Sequence, residues 1–476
     1  MQSDDGDLFG RLRREAEKGF DLLAQRLDLR ADIAVTGLRR AGKSVFITSL
    51  IHNLTSAAQD AAVLPALHAA LEGRLIAAEE HPPLGRGQPV FPTRDYLAQM
   101  AGEHPDWPAP TRLVSRTEMV IRYRAQGLLA WAGLRTEGTL TLGIVDYPGE
   151  WLLDVPMLAQ SYAVWSATTI ERLRNMPRRA AARDFLDCVE SIDAAGRADP
   201  EKLGAALRLY RELLLTLRDK HGLAFLQPGR HVVPDEKGDR PALQFVPLDL
   251  RSDAPPPPGS NHELLASRYD SYLRDIVRPF FETTFDATNR QVVLIDLIAA
   301  LNAGPDAFED TAVALDAVAE ALLRRREGPL GLIFPRRFDK VLFAATKADF
   351  VPEAQRDRLG QLLQSMVAPE QNAARMAGAD ARAMALAAAR CTRDEKLTIE
   401  IGEVEVVVGV PVEGDRRVKV YAGTIPKEPP PRAFWDGRTV RYPVFRPPHF
   451  NARPGHGIPH INMDAALEFL IGDLLR

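Results

Sequence analysis

An α/β fold with a mainly parallel sheet, a large helical insertion and an appended β-ribbon is predicted on three observations. Short apolar runs rich in β-branched residues alternate with helical patterns: IAVTG at residues 33–37 precedes SVFITSLIHNL, and QVVLIDLI at 291–298 and KVLFAAT at 340–346 are also followed by helical stretches. About 145 residues separate the strand ending at Asp146 from the one starting near Gln291, far more than an ordinary connection, and helical periodicity dominates them. Late in the chain, LTIEIGEVEVVVGV and RRVKVYAG alternate as a ribbon does.

In chain order, residues 8–29 place Leu8, Leu12, Phe20, Leu22, Leu23 and Leu27 roughly on one face of an amphipathic helix. The strand–glycine–helix unit at 33–54 follows. Residues 79–117 are rich in proline, glycine and polar side chains and read as an extended loop. MVIRYRAQ at 119–126 and TLTLGIVD at 139–146 read as an antiparallel pair, the second closing in DYPGEW. Helical pattern runs from Leu152 to about Phe225, breaks at a proline-rich stretch that includes residues 255–258, and resumes with LLASRYDSYLRDIVRPFFETTF. MALAAARCT at 384–392 is the candidate last core strand, and MDAALEFLIGDLLR closes the chain as a helix. The expected division is an N-terminal helix at 1–30, a first core part at 31–150 and a helical insertion at 151–285. A second core part at 286–400, the ribbon with proline-rich loops at 401–462 and a final helix at 463–476 complete it.

Composition bounds the partners. The 476 residues carry 64 acidic and 60 basic side chains, a formal charge of −4, which argues against coating nucleic acid or anionic lipid through the overall field. No nucleic-acid partner is expected, and nothing in the sequence supports a peripheral membrane contact by the amphipathic ends. Hydrophobic residues at 46% and charged residues at 26% suit globular cores. Cys188 and Cys391, the two cysteines, are too far apart in sequence for a disulfide framework or a clustered zinc site and fit a reducing compartment. The acidic N-terminus resembles no secretory signal, and no apolar run approaches the ~18 residues of a membrane span, so a cytoplasmic location is expected. There are ten lysines against fifty arginines, and two of the ten fall in motifs.

The strongest motif is Gly37-Leu38-Arg39-Arg40-Ala41-Gly42-Lys43-Ser44, which matches the phosphate loop of glycine, four residues, glycine, lysine and serine or threonine. Small residues let backbone N–H groups wrap a phosphate chain and the following helix adds positive potential. Lys43 then reaches the β and γ phosphates, and Ser44 is a magnesium ligand. Thr346-Lys347-Ala348-Asp349 follows the apolar strand VLFAA. A carboxylate at Asp349 has two acceptors for the N1–H and exocyclic amine of guanine, which adenine lacks, while the Lys347 stem can lie along base and ribose. Asp146-Tyr147-Pro148-Gly149 closes a strand: the carboxylate can hold magnesium and Gly149 can present its N–H to a γ-phosphate. Asp296 also ends an apolar strand and competes for that role but lacks a glycine at that spacing, so it is read as structural or as standing behind the direct ligands. His52, on the helix after the loop, is read as packed or polar rather than catalytic, and Arg324, Arg325 and Arg326 as a solvated helix end.

These motifs in this order look like a G domain of the P-loop NTPase class. GLRRAGKSVFITSL, VDYPGEWLLDVPMLAQ, RPFFETTFDATNRQVVLIDLIAALNAG and DKVLFAATKAD together resemble the bacterial YcjX-like P-loop GTPases, a family described as stress-associated ATP/GTP-binding proteins. The resemblance covers nearly the whole chain. It implies magnesium-dependent binding of GTP and GDP, hydrolysis of GTP, and a stress-linked switch acting on an unknown protein partner, with the insertion as one surface for it. On that basis Gly37, Arg39, Arg40, Ala41, Gly42, Lys43, Ser44 and Val45 would line the phosphates, and Thr346, Lys347, Asp349 and a backbone N–H of Ala388, Ala389 or Arg390 the base, with Ala388 chosen. Ser44, Asp146 and a loop threonine would hold magnesium; of Thr93, Thr111 and Thr117, Thr111 in WPAPTRLVS matches the family's block.

Two departures bear on turnover, for which Lys43, Arg40, Thr111 and Gly149 are the candidates. Glu150 stands where many small GTPases carry a water-orienting glutamine, and a carboxylate is repelled by a γ-phosphate. Arg40 inside the loop is either solvent-facing or an arginine finger in cis. The alternatives are an ATPase with a fortuitous TKAD, or an adaptor that binds nucleotide with little turnover.

Overall fold

The computed structural model describes residues 28–38, 40–83, 89–110, 113–126, 137–175, 178–234, 240–250, 255–286, 288–323, 338–376, 378–399, 402–421, 423–437 and 442–476. The expected N-terminal amphipathic helix, Arg39, Thr111 and the arginines 324–326 lie outside them.

The strands β1 (Asp28–Gly37), β2 (Leu75–His81), β3 (Ser115–Arg124), β4 (Glu137–Asp146), β5 (Arg290–Ile295), β6 (Lys340–Ala345) and β7 (Asp380–Ala385) form one sheet in the order β2-β3-β4-β1-β5-β6-β7. β4, β1, β5, β6 and β7 run parallel, while β3 is antiparallel to both β2 and β4. Alternation explains why the central runs are apolar throughout: Ile33, Val35, Val292 and Leu294 point to one face, and Ala34, Val293 and Ile295 to the other, and both faces are covered. The first face carries α1 (Lys43–Ala57) through Phe46, Ile47 and Leu50.

The expected antiparallel pair is present, with Thr117 opposite Ile144. Two other expectations shift. The segment read as loop from residue 79 holds the end of edge strand β2 and the helix α2 (Thr93–Ala101), whose short, polar sequences hide their periodicity. The last core strand is β7, starting four residues earlier than expected; most of residues 384–392 is the turn after it. An alanine-rich edge strand lacks the β-branched signal that marks β5 and β6.

Between β4 and β5 the chain is mainly helical. A 3-10 run at Gly149–Ala159 leads to α3 (Tyr162–Arg174), α4 (Pro200–His221) and α5 (Asn261–Tyr272). Ser161, Asp199 and Ser260 cap the three helices by accepting first-turn N–H groups. Trp165, Tyr210, Phe245, Tyr269 and Tyr272 form an aromatic core of their own there. α6 (Leu297–Ala303), α7 (Pro305–Leu323) and α8 (Glu353–Met366) cover the second face of the sheet, and α9 (Met463–Ile471) joins α1 on the first. The ribbon is a separate antiparallel sheet of β8 (Arg393–Ile399), β9 (Gly402–Gly409) and β10 (Val418–Val420). Among the described residues no helix is long and apolar enough to cross a membrane.

Candidate functional site

The carboxyl ends of β1, β4, β5 and β6 carry the motif residues to one end of the sheet, where crevices of open α/β sheets form. β1 ends at Gly37, where a Cβ would lie 2.9 Å from both Cβ and the carbonyl oxygen of Leu294. The loop then turns through Arg40, exposed and at a left-handed φ of 55°, and Gly42 at φ 84°. Gly42 is the N-cap of α1 and, having no side chain, offers no capping oxygen to the helix's first N–H groups. Lys43 Nζ folds back to within 3.4 Å of the Gly37 carbonyl.

The Asp146–Gly149 turn sits on this loop. A Cβ at Gly149 would fall 2.0 Å from the Gly37 carbonyl oxygen, so the two backbones are in direct contact across 112 positions of sequence. Asp146 and Ser44 are buried and share a neighbour that sequence reading missed, Tyr96 of α2. Burial and then the Asp146 carboxylate push the Tyr96 phenol up, while a hydrogen bond with the Ser44 hydroxyl pulls it down. A hydroxyl and a carboxylate are the hard oxygen donors that magnesium takes alongside phosphate oxygens, so this pair fits that ion. Of the threonines weighed for the third ligand, Thr93 and Thr117 both donate to Glu80 Oε1, at 2.5 and 2.8 Å.

Farther along the same end of the sheet, Thr346 ties β6 to β5 through Ile295, its N–H 2.9 Å from the carbonyl oxygen. Lys347 takes a left-handed φ of 59° and its ammonium pairs with Asp296, which also caps α6 by accepting Ala299 N–H at 2.9 Å. Asp296 is thus a structural residue that restrains Lys347. Asp349 is buried, and its Oδ2 accepts the backbone N–H and the thiol of Cys391, each at 2.9 Å. Burial raises the Asp349 carboxyl, the bonds from Cys391 lower it, and burial also drives the Cys391 thiol well up, keeping it protonated as a donor. Ala388 lies in the turn after β7, three residues before this contact, and Ala387 there pairs with Ile461 through both backbone groups.

A C-terminal strap spans from α1 to the turn after β7. His52 Nε2 meets His456 O at 2.7 Å, Asn53 exchanges two bonds with Ile458, and Arg390 N–H reaches Pro459 O. His52 is therefore packed, as expected, with its pKa lowered by burial. Val45, at the start of α1, shares a small apolar cluster with Ala389 and Ile458.

Behind the Asp146–Gly149 turn lie the insertion's helices. A Cβ at Gly229 would fall 2.0 Å from the Glu150 carbonyl oxygen, and Trp151 Nε1 donates to Val233 O at 2.9 Å. Asp154, fully buried and pushed up to about 6 by that burial, accepts Gly229 N–H at 2.7 Å and the Tyr272 hydroxyl. Arg230 stacks over Trp151 at 4.1 Å.

The model of the YcjX-like family, DUF463, matches residues 31–475. A protein of Escherichia coli strain K12 named Ras-like GTPase YcjX is 34% identical over 462 residues, covering 96% of this chain and 98% of the relative. One of the same name from Shewanella oneidensis is 33% identical over 481 residues, 98% of this chain and 99% of that protein.

Proposed function

The chain belongs to the YcjX-like family, and on that premise we propose that it is a cytoplasmic, magnesium-dependent protein that binds guanine nucleotide and hydrolyses GTP to GDP and phosphate. The observation that carries the reading is the backbone contact of Gly149 with Gly37: it brings a carboxylate turn onto a phosphate loop, the pairing a γ-phosphate site needs. Lys43 and the N–H groups of the loop from Gly37 to Val45 hold the phosphates and stabilise the charge that grows on them. Ser44, Asp146 and Thr111 are the residues that would supply oxygens to magnesium, which when bound would offset charge on the phosphates. Gly149 presents its N–H to the γ-phosphate. Asp349 selects guanine, with Thr346 and Lys347 shaping the base side and Ala388 lending a backbone donor.

We assign residues 31–150 and 286–400 to the G domain and 151–285 to an insertion that reads the Gly149–Ala159 run and presents a surface to a protein partner. The stress-linked switch role is carried over from the family resemblance.

Titration calorimetry of the full chain with GTP, GDP and ATP in magnesium tests the reading. GTP and GDP are expected to bind and ATP to bind far more weakly; equal heats for ATP would leave an ATPase. Arg40, exposed on the loop, is proposed to fold over the β–γ bridge during turnover. Arg40→Ala should then lower single-turnover hydrolysis about a hundredfold while GTP affinity changes less than about threefold. An unchanged rate would return Arg40 to solvent.

A further inference from the structure

Most backbone donors of the turn after β7 already have acceptors. Ala387 N–H donates to Ile461 O at 3.0 Å and Ala387 O accepts Ile461 N–H at 2.9 Å. Arg390 N–H donates to Pro459 O at 2.6 Å, and Cys391 N–H to Asp349 Oδ2 at 2.9 Å. Among the described residues, the N–H groups of Ala388 and Ala389 are left without an acceptor. Pro459 and Ile461 belong to the strap at residues 455–462, and Ile461 lies 74 positions beyond Ala387, after the whole ribbon. The strap is in turn fastened to α1. Asn53, fully buried, accepts Ile458 N–H at 2.7 Å and donates through Nδ2 to Ile458 O at 3.2 Å, beside the His52 contact with His456 O. Gly457 passes so close that a Cβ there would lie 2.4 Å from Val63 Cγ1. Asn462 Nδ2 then donates to Ala385 O at 2.9 Å, where α9 begins.

We infer that the strap positions the base pocket, with Asn53 as its anchor. It holds the N–H groups of Ala388 and Ala389 toward the base, and so sets how fast nucleotide leaves. The inference rests on the guanine-nucleotide reading above. A turn N–H grips a purine oxygen well only if the turn is ordered before binding, because ordering it afterwards costs affinity. Strap bonds at Ala387 and Arg390, on either side of the pair, do that ordering in advance. A held N–H also discriminates: guanine presents the acceptor O6 where adenine presents an amine, which would set donor against donor. The anchors on α1, His52 and Asn53, lie about 14 Å or more along the helix axis from Lys43, so the strap bears on the base and leaves the phosphates to the loop.

GDP, ADP and tripolyphosphate are titrated in magnesium against the full chain as wild type, Asn53→Leu and Gly457→Ala. Asn53→Leu keeps the volume and removes both bonds to Ile458; Gly457→Ala lifts the strap from Val63 and leaves α1 unaltered. Each variant is expected to weaken GDP about tenfold, through faster release, and to narrow the preference for GDP over ADP about three- to tenfold. Tripolyphosphate affinity and the single-turnover rate of bound GTP should stay within about twofold of wild type. A strap that merely held the fold together would weaken GDP and tripolyphosphate alike; that result, or unchanged GDP affinity, overturns the inference. If neither variant folds, amide hydrogen exchange of wild type decides. Ala387 and Arg390 should be protected without nucleotide, and Ala388 and Ala389 only after GDP is added; fast exchange at Ala387 and Arg390 in the nucleotide-free chain overturns the role of the strap. A wild-type chain that binds no GDP, or binds GDP and ADP alike, overturns the guanine reading beneath it as well.

Discussion

Asp349→Asn is expected to lower GTP and GDP affinity by at least about a hundredfold and to make xanthosine triphosphate the preferred ligand. Cys391 already occupies Oδ2, so the oxygen the carboxylate offers to guanine's N1–H and amine is Oδ1; an amide with its NH2 in that place turns the acceptor into a donor. Guanine's amine then faces an N–H, whereas the 2-oxo group of xanthine finds the donor it needs. The surroundings decide which way the amide sits: Oδ2 receives two bonds from Cys391, both 2.9 Å, so the amide oxygen takes that place and the NH2 takes the Oδ1 place. A site built to hydrogen-bond a polar group rejects its mismatch strongly because buried partners are left unsatisfied, which sets the size of the effect. Calorimetry with GTP, xanthosine triphosphate and ATP on wild type and variant gives the answer. Unchanged GTP affinity in the variant would falsify guanine recognition by Asp349. The substitution is nearly isosteric, and the Thr392 hydroxyl bond to the Asp349 carbonyl is untouched, so the fold should survive it.

What the sequence carried and what it hid divide along one physical line. The phosphate loop, the Asp146–Gly149 turn and the 346–349 tetrad were legible because strand, tight turn and helix start impose residue types within eight positions of each other. The ribbon was legible because β9 alternates from Glu403 to Val406 and is filled by β-branched valines to Val408. Edge strand β2 and β7 were obscured because an edge strand takes its pairing from a neighbour rather than from its own pattern. Cys391 escaped for a different reason: it touches a motif residue 42 positions away, and no local spacing encodes such a contact. The C-terminal strap is the extreme case, reaching α1 across about 400 residues. The one available signal was indirect. Cys391 falls just after the strand expected to end the base pocket, where a donor to Asp349 is chemically required.

Two glycine substitutions are expected to separate hydrolysis from its transmission. Gly149→Ala puts a Cβ 2.0 Å from the Gly37 carbonyl oxygen, and Gly229→Ala puts one 2.0 Å from the Glu150 carbonyl oxygen. Neither obstacle is a flexible side-chain tip, so in each case a backbone must move, at about 1–3 kcal/mol or more of stability. The displaced segments differ. In Gly149→Ala the turn lifts from the phosphate loop, its N–H moves off the γ-phosphate position, and a shift near 1 Å there should reduce single-turnover hydrolysis about a hundredfold. In Gly229→Ala the Gly149–Gly37 contact remains, but the insertion is pushed off the residues that follow it, and the Gly229 N–H bond to Asp154 is strained. That variant should bind GTP within about threefold of wild type, yet lose the difference in hydrogen-exchange protection between GDP and a GTP analogue across α3, α4 and α5. The contact is a candidate for coupling because a rigid backbone abutment passes displacement where a mobile side chain would absorb it, and the Asp154–Tyr272 bond continues it into α5. If wild-type exchange in those helices is the same with both nucleotides, the insertion does not read the turn. If Gly229→Ala abolishes hydrolysis as completely as Gly149→Ala, the insertion is part of the catalytic scaffold rather than its output.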